Sequence, residues 1–221
     1  ETNTVSFMTY GLNPHLLNWS PFHGAMYAVT QSLVKAVALG GDPDTIRLTL
    51  QEYFQGMKAK ADWGLPFAAL LGANTVLNAM EVPAVGGKDS MSGSFMDLHV
   101  PPTLVSFAVN VIDGRKAVSS ECKAAGDKVV FLSVPLLDGD VLDFTALRKN
   151  LRTVHCLILA GKIKAAAAVE EGGIAAGITR MTLGNALGFT FVKPFPHTEN
   201  LFTLQPGGML LEIASNAEID E

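Results

Sequence analysis

The segment Val82–Phe95, VPAVGGKDSMSGSF, places a glycine pair ahead of Lys88, Asp89, Ser90 and Ser92, between two apolar stretches. These residue types suit an anion. Gly86 and Gly87 let the backbone turn several N–H groups onto one phosphate. Lys88 adds a point charge, and Ser90 and Ser92 add hydroxyl donors. Asp89 suits Mg2+ instead, the usual companion of a nucleotide phosphate. A P-loop requires GxxxxGK followed at once by Ser or Thr. Here Asp89 follows Lys88, and Val82 stands where the first glycine belongs. The residues alone leave a phosphate loop and a polar turn between strands evenly matched.

Other groups carry chemistry with less support. Gln51 and Glu52 fall near the end of a predicted strand, where α/β folds place their sites; a solvated strand terminus explains them equally well. His23 precedes a predicted helix start, where backbone N–H groups favour an anion and an imidazole could move a proton. A loop or capping role is the commoner use of such a histidine. The EEGG run, Glu170 to Gly173, offers paired carboxylates for a metal, or simply complements a helix dipole. DGDVLD, Asp138 to Asp143, lacks the glycine and later glutamate of an EF-hand loop and reads as a turn and helix cap. Cys122 and Cys156 have no activating partner in the sequence and no CxxC spacing. They read as reduced thiols rather than a disulfide or zinc framework.

The elements that must position these residues follow from periodicity. Val5–Thr9 reads as a short strand and GLNPHLLNWSPFH as a loop. Gly24–Leu39 is a predicted helix, with Ala25, Ala28, Val29, Leu33, Ala36 and Val37 at the spacing of a buried face. GGDPD stops it. Thr45–Phe54 is a predicted strand, and Pro66–Ala79 a second, very apolar helix. Pro83 opens a strand that enters the glycine-rich segment. Thr103–Ile112 is a near-continuous apolar run, as in a sheet-interior strand. The polar stretch from Asp113 to Lys128 marks a domain boundary. KVVFLSVP then reads as a strand and Phe144–Ala160 as a helix. KIKAAAAV is ambiguous between strand and helix. A glycine-started helix follows EEGG, ends at a turn in GNALG, and GGMLLEI is the last strand. Strands alternating with helices give an α/β (α+β) class.

Bulk properties exclude several functions. Of 221 residues, 48% are hydrophobic and 17% charged, which builds a core rather than a disordered chain. The formal net charge is -5 and no basic stripe occurs, so nucleic acid is not an expected partner. No apolar run reaches the ~18 residues of a membrane helix, and no signal segment opens the sequence; a cytoplasmic location is expected. The chain starts at Glu1 and stops shortly after a strand, which suggests a piece of something longer.

Taken together, WSPFHGAMYAVTQSLVKAVALGGDPDTIRLTLQEYF, WGLPFAALLGA, PAVGGKDSMSGSF and PPTLVSFAVNV resemble phosphoribosylformylglycinamidine synthase, the glutamine-dependent enzyme of purine synthesis. The resemblance runs from about Phe7 to the last residue. It implies a place in the aminoimidazole-ribonucleotide-synthetase-like superfamily, in which the synthase carries two related halves. This chain looks like the second half. Residues 1–113 would form its first domain, whose sheet pairs with the other half in a barrel-like core. Residues 114–221 would form an α/β second domain, incomplete at its C-terminus.

The resemblance further implies a ligase that takes formylglycinamide ribonucleotide, ATP and glutamine-derived ammonia to the amidine, with ATP and Mg2+ as cofactors. Its partners would be the first half, a glutaminase domain and a small-molecule substrate. A fragment this short is expected to be inactive alone, and no catalytic residue is assignable in it. Shorter relatives carry GGNVS where this chain has GGKDS, which aligns Gly87, Lys88 and Ser90 with residues that meet ATP, Mg2+ and substrate. Lysine cannot ligate a cation, so either Asp89 takes the metal or Lys88 touches phosphate directly. The binding set implied is Gly86, Gly87, Lys88, Asp89, Ser90, Ser92, His23 and Gln51, with Asp89 and Glu52 as metal ligands. Long relatives also hold an auxiliary magnesium nucleotide through carboxylate and amide side chains. Those positions fall near Gln31, Lys35 and Ala168, none of them a carboxylate, which implies an empty or altered site with Lys35 supplying positive charge. Alternatives are another member of the superfamily, or a silent scaffold half. An apolar sheet face left open would favour a homodimer of the fragment.

Overall fold

The computed structural model describes residues 2–192 and 198–215. In chain order, β1 (Thr4–Gly11) is followed by α1 (Pro14–Trp19), α2 (Pro21–Ala38), β2 (Arg47–Tyr53), α3 (Gly64–Met80) and β3 (Ala84–Ser90). A short hairpin, β4 (Ser94–Phe95) and β5 (Leu98–His99), leads to β6 (Thr103–Asp113). Then come β7 (Lys128–Leu132), the hairpin β8 (Leu136–Leu137) and β9 (Val141–Leu142), α4 (Phe144–Leu159), β10 (Ile163–Ala168), α5 (Gly173–Leu183) and β11 (Met209–Ile213). The mixed α/β class is as expected.

Two expectations change. The loop before α2 contains α1, because Asn13 caps it, accepting the Leu16 N–H at 2.9 Å, with Pro14 in the first turn. The glycine-rich segment is neither turn nor loop over Ala84–Ser90, but an edge strand running parallel to β2. Its pairing skips Val85: Leu48 faces Ala84, whereas Thr49 faces Gly86. The ambiguous KIKAAAAV is strand β10.

The first sheet has order β1-β6-β2-β3, antiparallel except for the β2–β3 pair. Period-two alternation sends Leu48, Leu50, Leu104 and Ala108 inward, onto α2 and α3, where all are buried. The opposite face stays open and carries Met8, Tyr10, Val109 and Val111, exposed by 60, 56, 37 and 55%. The second sheet, β10-β11-β7, is antiparallel. Buried Glu212 on β11 accepts the Lys123 N–H on both oxygens, at 2.8 and 2.9 Å, and so fixes the connector from β6.

Helix α2 is buried on nearly every side. It packs on β1 and β6, on α3, and on α4 and β10. Polar groups beneath it are satisfied: Thr9 donates to the Ser32 carbonyl at 2.7 Å, and the Ser32 and Ser106 hydroxyls are 2.8 Å apart. Helix α4 turns Leu147, Leu151, Val154 and Ile158 inward at three-four spacing, capped by Asp143. Its Arg148 donates to the Ala79 carbonyl at the end of α3 and pairs with Glu81 at 3.1 Å. One core cluster therefore runs from Leu17 through α2 to Leu211.

A Cβ on Gly72 of α3 would come within 2.0 Å of the Phe22 carbonyl oxygen of α2. Gly72→Ala should force the helices apart and lower stability by ~1–3 kcal/mol, read as a lower urea midpoint. Gly64→Ala, whose Cβ would meet nothing within 4 Å, should leave the midpoint in place or raise it.

Candidate functional site

The β2–β3 register sorts the predicted residues by face. Gln51 pairs with Lys88 and Tyr53 with Ser90, while Glu52 pairs with Asp89 and Leu50 with Gly87. Since Glu52 and Leu50 are buried against the helices, Asp89 and Gly87 belong to the helix side of the sheet. Gly86, Lys88, Ser90 and Gln51 belong to the open side. Ser92 lies just beyond, its hydroxyl 3.5 Å from that of Ser90. The Lys88 ammonium donates to the Asp89 carbonyl at 2.9 Å, which lays the side chain along the exposed strand.

The glycine pair has two different causes. Neither residue has a positive φ. A Cβ on Gly87 would lie 2.7 Å from the Leu50 carbonyl oxygen, so close strand pairing requires glycine there. A Cβ on Gly86 would meet nothing within 4 Å. Neither a positive φ nor a close contact requires a glycine at 86, which follows the skipped Val85 beside an ammonium on an open face. A backbone kept bare in this way admits close approach of a ligand.

On the helix side, Leu50, Glu52, Leu70, Gly87 and Asp89 line a shallow cavity of about 360 Å³ shared with Gly86 and Lys88. Glu52 is 4% exposed, and its Oε1 has no hydrogen-bond partner among the described residues. It is not the solvated strand terminus that its position suggests. Burial, and then the charge of Asp89, push its carboxyl up to about 7. An orphaned carboxylate oxygen beside a second carboxylate offers two of the several oxygen ligands a cation takes, and substrate phosphates or water would have to complete the set.

The remaining candidates are engaged elsewhere. His23 lies inside the first turn of α2, not ahead of it. Its Nδ1 is 2.7 Å from the Ser20 hydroxyl and its Nε2 2.9 Å from the Gly139 carbonyl oxygen. Tyr27 donates to the neighbouring Asp140 carbonyl at 2.6 Å, so the pair holds the turn between β8 and β9. Glu170 does not sit in the helix start of α5; Gln31 and Lys35 of α2 both bind its Oε1. Asp143 caps α4 as expected. Cys122 is buried, its thiol pushed up by burial, and Cys156 is exposed on α4. Sequence reasoning overlooked Thr49 and Tyr53, which period-two alternation along β2 sets on the same open face as Gln51.

Because the folded carboxyl of Glu52 titrates near 7, above its ordinary 4.5, the native state holds its proton more tightly than the unfolded chain. Its contribution to stability is complete below pH 4.5 and is lost as pH rises through about 7. Glu52→Gln should remove this loss, on the order of 3 kcal/mol, and flatten the urea midpoint between pH 5 and 8. An unchanged slope would mean that Glu52 does not titrate in this window.

No protein-family model matches the chain. Phosphoribosylformylglycinamidine synthase subunit PurL of Thermoplasma acidophilum is 22% identical over 235 residues, covering 96% of this chain and 30% of that protein. The same subunit of Nitrobacter winogradskyi is 24% identical over 199 residues, covering 82% of this chain and 27% of its own length. The chain thus spans less than a third of these curated relatives. Among solved structures, T. maritima PurL complexed with FGAR superposes with a TM-score of 0.76 at 17% identity, over 96% of this chain and 38% of that one. That PurL has also been solved with ATP. The likeness to phosphoribosylformylglycinamidine synthase is borne out in sequence and in architecture: this chain is PurL-like and has the fold of part of PurL along nearly its whole length.

Proposed function

We propose that the chain is the second synthetase-like half of a phosphoribosylformylglycinamidine synthase, made of domains 1–113 and 114–221, and that β3 is its ligand-facing strand. The observation that carries this reading is Gly86, a glycine that no close contact requires, on an open face beside Lys88. In this reading Gly86 and Lys88 approach the phosphates of ATP. Ser90, Ser92 and Gln51 offer hydrogen bonds to phosphate or substrate. Mg2+, when bound, offsets charge on the transferring phosphoryl group; Asp89 and Glu52 are the side chains that would hold it. Lys88 and Asp89 then act on opposite sides of one strand. The lysine meets phosphate directly and the aspartate is left to the cation. ATP activates the amide oxygen of formylglycinamide ribonucleotide as a leaving group, and ammonia from glutamine displaces it. The first half and the glutaminase supply the remaining groups.

A scaffold role is the second reading, favoured by the open apolar face of Met8, Tyr10, Val109 and Val111. Covered by the first half, this face would complete the barrel-like core; in the isolated chain it should drive dimerisation. Sedimentation should show a dimer that Val109→Lys converts to monomer.

The two readings part in the kinetics of the longer protein. Ser90→Ala and Asp89→Ala should each cost ~1–3 kcal/mol in kcat/KM. Gly86→Ala should raise KM for ATP while leaving the urea midpoint unchanged. Unaltered kinetics in all three would leave β3 a structural edge and the chain a scaffold.

A further inference from the structure

A second cleft, of about 240 Å³, opens between the end of β1, α2, the end of β10 and the turn into α5. Tyr10, Gln31, Lys35, Glu170, Glu171 and Arg180 line it. Lys35, Gln31 and Arg180 converge on one of its two carboxylates, Glu170. Oε1 of Glu170 receives both the Lys35 ammonium and the Gln31 amide, and Arg180 stands 3.9 Å from Oε2. The network extends outward. Gln31 Oε1 accepts the Leu12 N–H at 2.8 Å, and the Lys35 ammonium lies 4.5 Å from the Tyr10 ring centroid.

This is the place where the family resemblance implies an auxiliary magnesium nucleotide, and the residues do not fit one. Gln31, Lys35 and Ala168 present an amide, an ammonium and a methyl group. The carboxylate that Lys35 reaches, Glu170, is already paired with it. Among the described residues, no group of three or more His, Cys, Asp or Glu side chains is arranged to hold a metal ion. A divalent cation entering here would meet an ammonium on the same carboxylate.

We infer that Lys35 is a built-in cation. Its ion pair with Glu170, braced by Gln31, replaces a bound metal and anion as the tie between α2 and the β10–α5 turn, and the cleft is closed to divalent-metal nucleotides. The lysine and glutamate side chains are only 21 and 26% exposed, so the pair is shielded more than a surface bridge. Its two ends lie 135 residues apart in sequence, which is why it can join the parts of the fold that carry the two sheets. This holds whether or not β3 binds ATP, since it concerns different residues and a different readout.

The test is thermal unfolding of the chain with and without MgCl2 and ADP. In an Asp89→Ala/Glu52→Gln background, which removes the carboxylates assigned to Mg2+ on β3 and β2, Tm should not respond to the two together. Lys35→Met should lower Tm, and Lys35→Arg, which keeps the pair, should not. Gln31→Glu/Lys35→Glu sets three carboxylates together and should gain a Tm that rises with Mg2+ concentration, as binding to the native state requires. A Tm that climbs with Mg2+ and ADP together in that background overturns the inference. So does a Lys35→Met variant as stable as wild type. Because the melts of the Asp89→Ala/Glu52→Gln background and of Lys35→Met decide the matter alone, failure of the Gln31→Glu/Lys35→Glu variant to fold leaves the test intact.

Discussion

The carbonyl oxygen of Ala28 on α2 lies where a Cβ on Gly11 of β1 would be 1.9 Å away, and that of Phe22 where a Cβ on Gly72 would be 2.0 Å away. Contacts this short set strand and helix against the backbone of α2 rather than against its side chains. A helix approached so closely on separate sides must itself be lined with small residues, and Ala25, Ala28, Ala36 and Ala38 are all buried. Position then propagates. The sheet is held at fixed height over α2, α3 is locked beside it, and β2 and β3 are delivered to one edge with their side chains already sorted by face.

The same helix distributes polar work along its length. Its first turns hold the β8–β9 turn through His23 and Tyr27. Its middle satisfies the buried hydroxyls of Thr9 and Ser106. Its later turns carry Gln31 and Lys35 to Glu170. An otherwise apolar element thus reaches most of the molecule through a few side chains at its rim.

Much of this was legible in the sequence. The buried faces of α2 and α4 follow from three-four spacing, and β6 from its apolar run. The family likeness was carried by segments that surround the site. Other features were hidden for physical reasons. Six-residue α1 is too short to show a period and depends on the Asn13 cap. GGKDS has turn composition, and its extended form comes from pairing with β2, more than thirty residues earlier, which no local window contains. The burial of Glu52 and the meeting of Lys35 with Glu170 are likewise products of tertiary packing.

The residue skipped in the β2–β3 ladder has a consequence for charge. Had Val85 paired with Thr49, every later partner would move by one, and Lys88 would stand beside Glu52. Ammonium and carboxylate would then neutralise each other inside the fold, leaving a quiet, well-satisfied strand. The bulge forbids that annihilation. It holds the positive group to one side of a single strand and a pair of negative groups to the other, so the edge of the sheet is polarised across its own thickness.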